Sequence, residues 1–333
     1  MRIRRRRQET GPRMLSVWLR RSVIGMAFLS CGVSPVVAQT VVRLASAQNS
    51  IGSLPIVLAQ REGLFAAENL KIDIVDFRGG APAVQALASG SVEACICAAD
   101  HAVRLRARGQ GGVVLVALTE FHGYGLVALT KSPATDLKSL QGKRIGITTA
   151  GSLTDNTLRY FLEQAGMNPD RDVEITGVGT GGPMRAAIET GSVAAGMLTT
   201  PDVQAALAEP EKFKLVQDYR NLQYPALGLL ALEKWIKPNE ATARALARAV
   251  VKAEAMVRVN RPAVEAALAE MYPALAPKLR AVLADEAPRL LSADGRMDPA
   301  GYKLMQGMLK VSDPTLVPAS YEQVSALSYL PQP

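Results

Sequence analysis

"RGGAPAVQALASGSVEACICAAD" (78–100) and "TGGPMRAAIETGSVAAGMLTTP" (180–201) are the same sentence spelled twice. Each runs from a glycine loop through a proline and a short amphipathic stretch to "GSV" and an apolar run. Pro82 and Pro183 suit a helix start, where a missing N–H costs nothing. Gly90 and Gly191 suit the left-handed end of a helix. The apolar runs "VEACICA" and "VAAGML" read as buried parallel-type strands. Glycine and alanine are common in this chain, so the order of elements says more than the identities.

The repeat extends upstream. "VVRLASA" (41–47) reads as a strand. The polar loop "QNSIGS" follows, then a helix capped by Ser53 with Pro55 in its first turn and Gly63 as its stop. "KIDIVDF" (71–77) alternates as a second strand. "KRIGITTAGSL" (143–153) echoes 42–54, "TDNTLRYFLEQAG" is a helix ended by Gly166, and "DVEITGV" (172–178) is the next strand. Asp100 is expected to cap a helix over "HAVRLRARG", and "GVVLVALT" (112–119) is a further strand. Two βαβαβ units about a hundred residues apart predict two similar α/β lobes. Beyond residue 239, helical periodicity takes over with breaks at Pro262, Pro299 and Pro314. This helical tail is expected to pack on the first lobe.

Composition narrows the class. The 333 residues carry a net charge of +8. Residues 1–38 hold eight arginines against the single acid Glu9, so the body is nearly neutral. That removes the electrostatic argument for nucleic acid. The same segment has a basic start, an apolar stretch too short to span a membrane, and Ala38 before Gln39. It reads as an export signal (1–38) cleaved near Ala38 into a periplasmic protein. Arg20-Arg21 as a twin-arginine signal and Cys31 as a lipid site are the weaker variants. Cys95 and Cys97 then remain, two apart on one strand face, and read as small buried apolar residues rather than a disulfide or metal pair.

Ligands of open parallel sheets bind beyond the strand carboxyl ends, where helix N-termini point. The loops there hold Asn49, Ser50, Arg78, Gly79, Gly80, Asp100, Ser152, Thr154, Thr180, Gly181 and Thr199. Glycine lets a ligand approach the backbone, and hydroxyls and first-turn N–H groups donate to anionic oxygens. Taken singly, each residue also fits a turn or cap. Of the two histidines, His122 lies in "TEFHGYG", where the chain leaves the first lobe, and His101 opens a helix. Phe77, Phe121, Tyr124 and Tyr224 could sandwich a flat ligand or pack the crossings. No nucleophile elbow, H-E-x-x-H, C-x-x-C or P-loop occurs, and "GVGTGG" (177–182) lacks the context of a dinucleotide site. No catalytic residue, cofactor or metal is expected.

The chain resembles the substrate-binding proteins of ABC importers, in the nitrate/sulfonate/taurine and thiamine-precursor branch. "LPIVLAQREGLFAAENLKIDIVDFRGG" (54–80), "ASGSVEACICAAD" (88–100) and "KSPATDLKSLQGKRIGITTAGSLTDNTLRYFLEQAGMNPDRDVEI" (131–175) carry the resemblance, with "DLKSLQGKRIG" opening the second lobe. It implies a type II periplasmic-binding fold: lobe one at 41–125 plus 224–333, lobe two at 126–223, closing about two hinge segments. It also implies capture of a small, sulfonate- or carboxylate-like solute, delivery to an inner-membrane ABC permease, and a monomer. The loop residues above, with His122, become the implied ligand contacts. Asp100 would also suit a ligand amine or ring N–H. An enzyme on the same fold, using His122 with Asp100 or Ser152, and a periplasmic ligand sensor are the alternatives.

Overall fold

The doubled sentence folds as two sheets of matching order. The computed structural model describes residues 38–47, 49–77 and 79–332. Residues 1–37 of the expected signal, with Cys31, and Arg78 lie outside them. The first sheet comprises β1 (Thr40–Ser46), β2 (Leu70–Asp76), β3 (Ala94–Ala98), β4 (Gly112–Ala117) and, from far along the chain, β10 (Leu227–Leu232). The second comprises β5 (Tyr124–Leu129), β6 (Arg144–Ile147), β7 (Glu174–Gly177), β8 (Ala195–Thr199) and β9 (Phe213–Asp218). Strand orders are β2-β1-β3-β10-β4 and β7-β6-β8-β5-β9. In each sheet one strand runs antiparallel to both neighbours: β10 in the first and β5 in the second. Each of these is the strand formed just after the chain arrives from the other sheet.

Helices fill the connections: α1 (Leu54–Arg61), α2 (Leu64–Ala67), α3 (Gly80–Ser89) and α4 (Asp100–Ala107) in the first half, then α5 (Leu153–Gln164), α6 (Gly182–Thr190) and α7 (Asp202–Leu207) in the second. The expected glycine stops hold, with Gly63, Gly90, Gly166 and Gly191 all at positive φ. Asp100 departs from expectation. It is the first residue of α4, not its cap, and its carboxylate is used elsewhere.

The tail continues with α8 (Glu233–Ile236), α9 (Glu240–Val259), α10 (Arg261–Met271), α11 (Pro277–Leu290), α12 (Pro299–Ser312) and α13 (Tyr321–Val324). The helices α9 and α10 pack on α1, as expected of a tail returning to the first lobe. By contrast, α12 crosses over and lies along α5. Its apolar face, with Met305, Met308 and Leu309 buried, satisfies the same periodicity against a different partner. No helix among the described residues is long and apolar enough to cross a membrane.

Four segments therefore pass between the two halves, the last of them returning the tail from α12 to α13, which packs on β4 and α4. The first crossing pairs with the second: His122 N–H donates to Leu222 O at 2.9 Å, and Tyr224 N–H to Glu120 O at 2.9 Å. A third lies against the first, with Glu120 N–H donating to Leu290 O at 3.0 Å and Ser292 N–H to Leu118 O at 3.2 Å. Two passages of the tail, out to α12 and back to α13, join the two hinge segments implied by the resemblance.

Cys95 and Cys97 are fully buried in β3, as expected of small core residues. Their side chains lie against each other on one face of the strand, with Cα atoms 5.4 Å apart. Two ideally extended residues would place them about 6.6 Å apart.

Candidate functional site

The carboxyl ends of β1, β2 and β3 bring the starts of α3 and α4 to one side of a seam. Those of β6, β7 and β8 bring the starts of α5, α6 and α7 to the other. At its centre Ser50, Ile51, Thr119, Phe121, Tyr124 and Thr200 are among the residues around a cavity of about 20 Å³. That is room for one water-sized group. An organic solute placed there requires the two halves to part. Ser50 is buried and its Oγ has no hydrogen-bond partner. Across the cavity, Thr200 Oγ1 donates to Gly123 O at 2.7 Å, fastening the end of β8 to the first crossing. Thr199, also buried, pairs with Tyr124 in the sheet.

Several sequence-derived residues are engaged in holding the loops. Asn49 is exposed and its Nδ2 donates to Met271 O at 2.9 Å, tying the loop after β1 to the end of α10. Ser152 caps α5, accepting from Asp155 N. Its Oγ also forms a triangle of hydroxyls with Thr148 and Thr154, every edge between 2.8 and 2.9 Å. Gly79 and Gly80 open α3, and a Cβ on Gly80 would sit 3.1 Å from His101 Nε2. Gly181 precedes α6 at φ +62°, with the Asp202 carboxylate nearby, while Thr180 is exposed. Burial raises the Asp202 carboxyl above its usual range.

His122 is sealed between the crossings. Its Nε2 lies 2.8 Å from Thr157 Oγ1, and its Nδ1 has no partner. The Tyr124 ring meets it edge-on at 4.5 Å, with Tyr224 at 5.3 Å and Tyr219 at 6.0 Å. Burial lowers its pKa to about 3, so it is neutral at ordinary pH. The tyrosines of the crossings thus pack a buried histidine. Phe121 lines the small cavity under the Arg289 guanidinium, and Phe77 is half-buried.

Asp100 faces the seam but reaches the other half of the molecule. Its Oδ2 accepts from Asn156 Nδ2 at 2.7 Å, while Oδ1 has no partner. Asn156 Oδ1 accepts from Arg104 Nη2 at 3.3 Å, and the same Nη2 donates to Ser312 Oγ of α12 at 2.9 Å. Farther along the seam, Gln204 Nε2 donates to Glu286 Oε2 at 2.7 Å. Sequence reasoning missed Asn156, Arg104, Gln204 and Glu286. Asn156 lies in the first turn of a helix whose start was already expected at the seam, and that position was the available signal. Among the described residues no group of three or more His, Cys, Asp or Glu side chains could hold a metal ion.

Two sheets of matching order, facing across a seam bridged by the crossings, define the periplasmic-binding-protein fold. The chain superposes on the periplasmic aliphatic sulphonate binding protein SsuA from Escherichia coli with a TM-score of 0.68. The two are 22% identical, over 83% of this chain and 94% of that one. Residues 50–262 match the family model described as NMT1/THI5 like, and the chain belongs to that family. YtlA of Bacillus subtilis (strain 168) is 24% identical over 250 residues, 72% of this chain and 74% of YtlA. The 4-amino-5-hydroxymethyl-2-methylpyrimidine phosphate synthase of Schizosaccharomyces pombe is 26% identical over 144 residues, 43% of this chain and 40% of the synthase.

Proposed function

We propose that the chain is the extracytoplasmic solute-binding component of an ABC importer. It is exported to the periplasm, with its signal cleaved near Ala38. There it takes a small organic anion, sulfonate- or carboxylate-like, between lobe one (41–125 plus 224–333) and lobe two (126–223), and passes it to a membrane permease. It acts as a monomer and binds without turning the solute over. One observation carries the reading. The strand ends of both sheets converge on the cavity between Ser50 and Thr200, behind crossings that allow hinged opening. The similarity to SsuA supports the solute class.

A thermal-shift screen of the purified protein against sulfonates, nitrate, aromatic carboxylates and pyrimidines tests it. A ligand at a hundredfold its Kd stabilises by about 2.7 kcal/mol and raises the melting temperature. No shift with any compound overturns the reading. Mass spectrometry of the incubated ligand separates capture from catalysis, since altered product replaces the receptor with an enzyme.

A further inference from the structure

His101, Arg104 and Arg108 recur along one face of α4 and its C-cap, at spacings of three and four residues. That face, with Gln85 of α3 and Ala150-Gly151 from the loop before α5, encloses a cavity of about 230 Å³. The walls come from both sides of the seam. The cavity shares no lining residue with the one at Ser50 and Thr200.

No carboxylate hydrogen-bonds either arginine of this cavity, although Arg104 feels the charge of Asp313 and shares the Asn156 amide with Asp100. Arg104 Nη2 donates only to the neutral oxygens of Asn156 and Ser312, and its Nε is buried without a partner. Among the described residues neither Arg104 nor Arg108 forms an ion pair. The nearby carboxylates are turned elsewhere: Asp100 to Asn156, Asp155 to Gly151 N and Arg159, and Asp313 to Thr315. A buried cationic donor left unpaired is costly, and an anion relieves that cost with charge-assisted hydrogen bonds. Pockets for larger organic ligands usually exceed about 300 Å³, so this one suits a compact ion.

We propose that this cavity binds a small oxyanion, of sulfate or phosphate size, between the α4 arginines on one side of the seam and the 150–151 loop on the other. The ion is either free in solution or the acid group of a solute, and the site requires no particular organic body. Because both halves of the molecule wall the cavity, a bound ion favours their present approach.

The test titrates the purified protein with sodium sulfate, sodium phosphate and sodium ethanesulfonate, against sodium chloride at matched ionic strength, by thermal shift and calorimetry. Sulfate or phosphate should raise the melting temperature saturably beyond chloride. Arg108→Gln should weaken that binding at least tenfold. Arg108 is exposed, so its ion-free melting temperature should stay at the wild-type value. Arg104→Gln also disturbs Asn156 and Ser312, which makes Arg108 the decisive position. If ethanesulfonate binding weakens alongside sulfate in Arg108→Gln, the site takes the acid group of a solute. If sulfate alone weakens, it takes the free ion. No saturable shift beyond chloride, or a shift unchanged by Arg108→Gln, overturns the site. A solute found in the wider screen that binds Arg108→Gln normally leaves the receptor reading standing without it.

Discussion

Asn156 donates to Asp100 at 2.7 Å across the seam, from the first turn of α5 to the first turn of α4. Both residues are buried, and their helices belong to different sheets. The bond is therefore a latch between the two halves, and Arg104 holds the other end of the Asn156 amide. Asn156→Ala leaves Asp100 with neither oxygen partnered, because Oδ1 has no partner already. An unsatisfied buried acceptor costs about 1–3 kcal/mol. Urea unfolding should show a loss of that size, and an unchanged midpoint would mean that the latch contributes nothing.

His122 makes stability fall with acid. Burial holds its pKa at about 3 in the fold, against 6.5 as the ordinary value. Between these limits the unfolded chain binds the proton and the folded chain does not, so stability is lost as pH drops. By about pH 4.5 this amounts to roughly 2–3 kcal/mol. His101 is also lowered by burial and pulls in the same direction, so the slope of the wild type alone does not isolate His122. Comparison with His122→Gln does: the variant should lose less stability than the wild type between about pH 7 and pH 4.5. Parallel losses would assign the acid sensitivity to other groups.

The doubled sentence made the repeat legible because its signals are local. A glycine that must take positive φ, a proline that fits only a first turn and a buried apolar run each act within a few residues. Pairing across distance was not legible. "YGLVAL" and "LGLLAL" became β5 and β10, antiparallel strands whose partners are set by the crossings. The periodicity of α12 showed an apolar face but not that α5 would cover it. The candidate site followed the same division. Sequence placed Ser50, Asp100 and Ser152 in the loops that follow the strands, but the partner of Asp100 depends on how the two halves meet. Arg104 and Arg108 were visible only as part of a polar helix, because unpaired charge is a property of the assembled seam.

Gly301 tests the third crossing. It lies in the first turn of α12, where a Cβ would stand 2.8 Å from Pro225 Cδ, 3.2 Å from Gln223 O and 3.3 Å from Tyr224 Cα. Two of those atoms are backbone of the second crossing and cannot step aside as a side chain can. Overpacking of this kind costs about 1–3 kcal/mol. Alanine favours a helix interior over glycine by about 1 kcal/mol, which opposes the loss. A net destabilisation of Gly301→Ala in urea would show that α12 is tightly docked on the crossing, whereas a stabilised variant would show that α12 yields there.

Glu254 sets the opposite pH response. It is fully buried in α9, and both carboxylate oxygens lack a hydrogen-bond partner. Arg258, one turn on, spends its guanidinium on the carbonyls of Glu254, Pro288, Leu291 and Ser292. Burial therefore raises the Glu254 pKa well above the usual carboxylate value of 4.5, despite the attraction of Arg258. The folded chain keeps a proton that the unfolded chain gives up, so this residue costs stability as pH rises above 4.5. Glu254→Gln keeps the shape and removes the titration. At about pH 8 the variant should exceed the wild type in urea unfolding, with the difference shrinking towards pH 4.5. A variant less stable than the wild type by the same amount at both ends would mean that the carboxylate makes contacts glutamine cannot replace, and that its proton plays no part in folding.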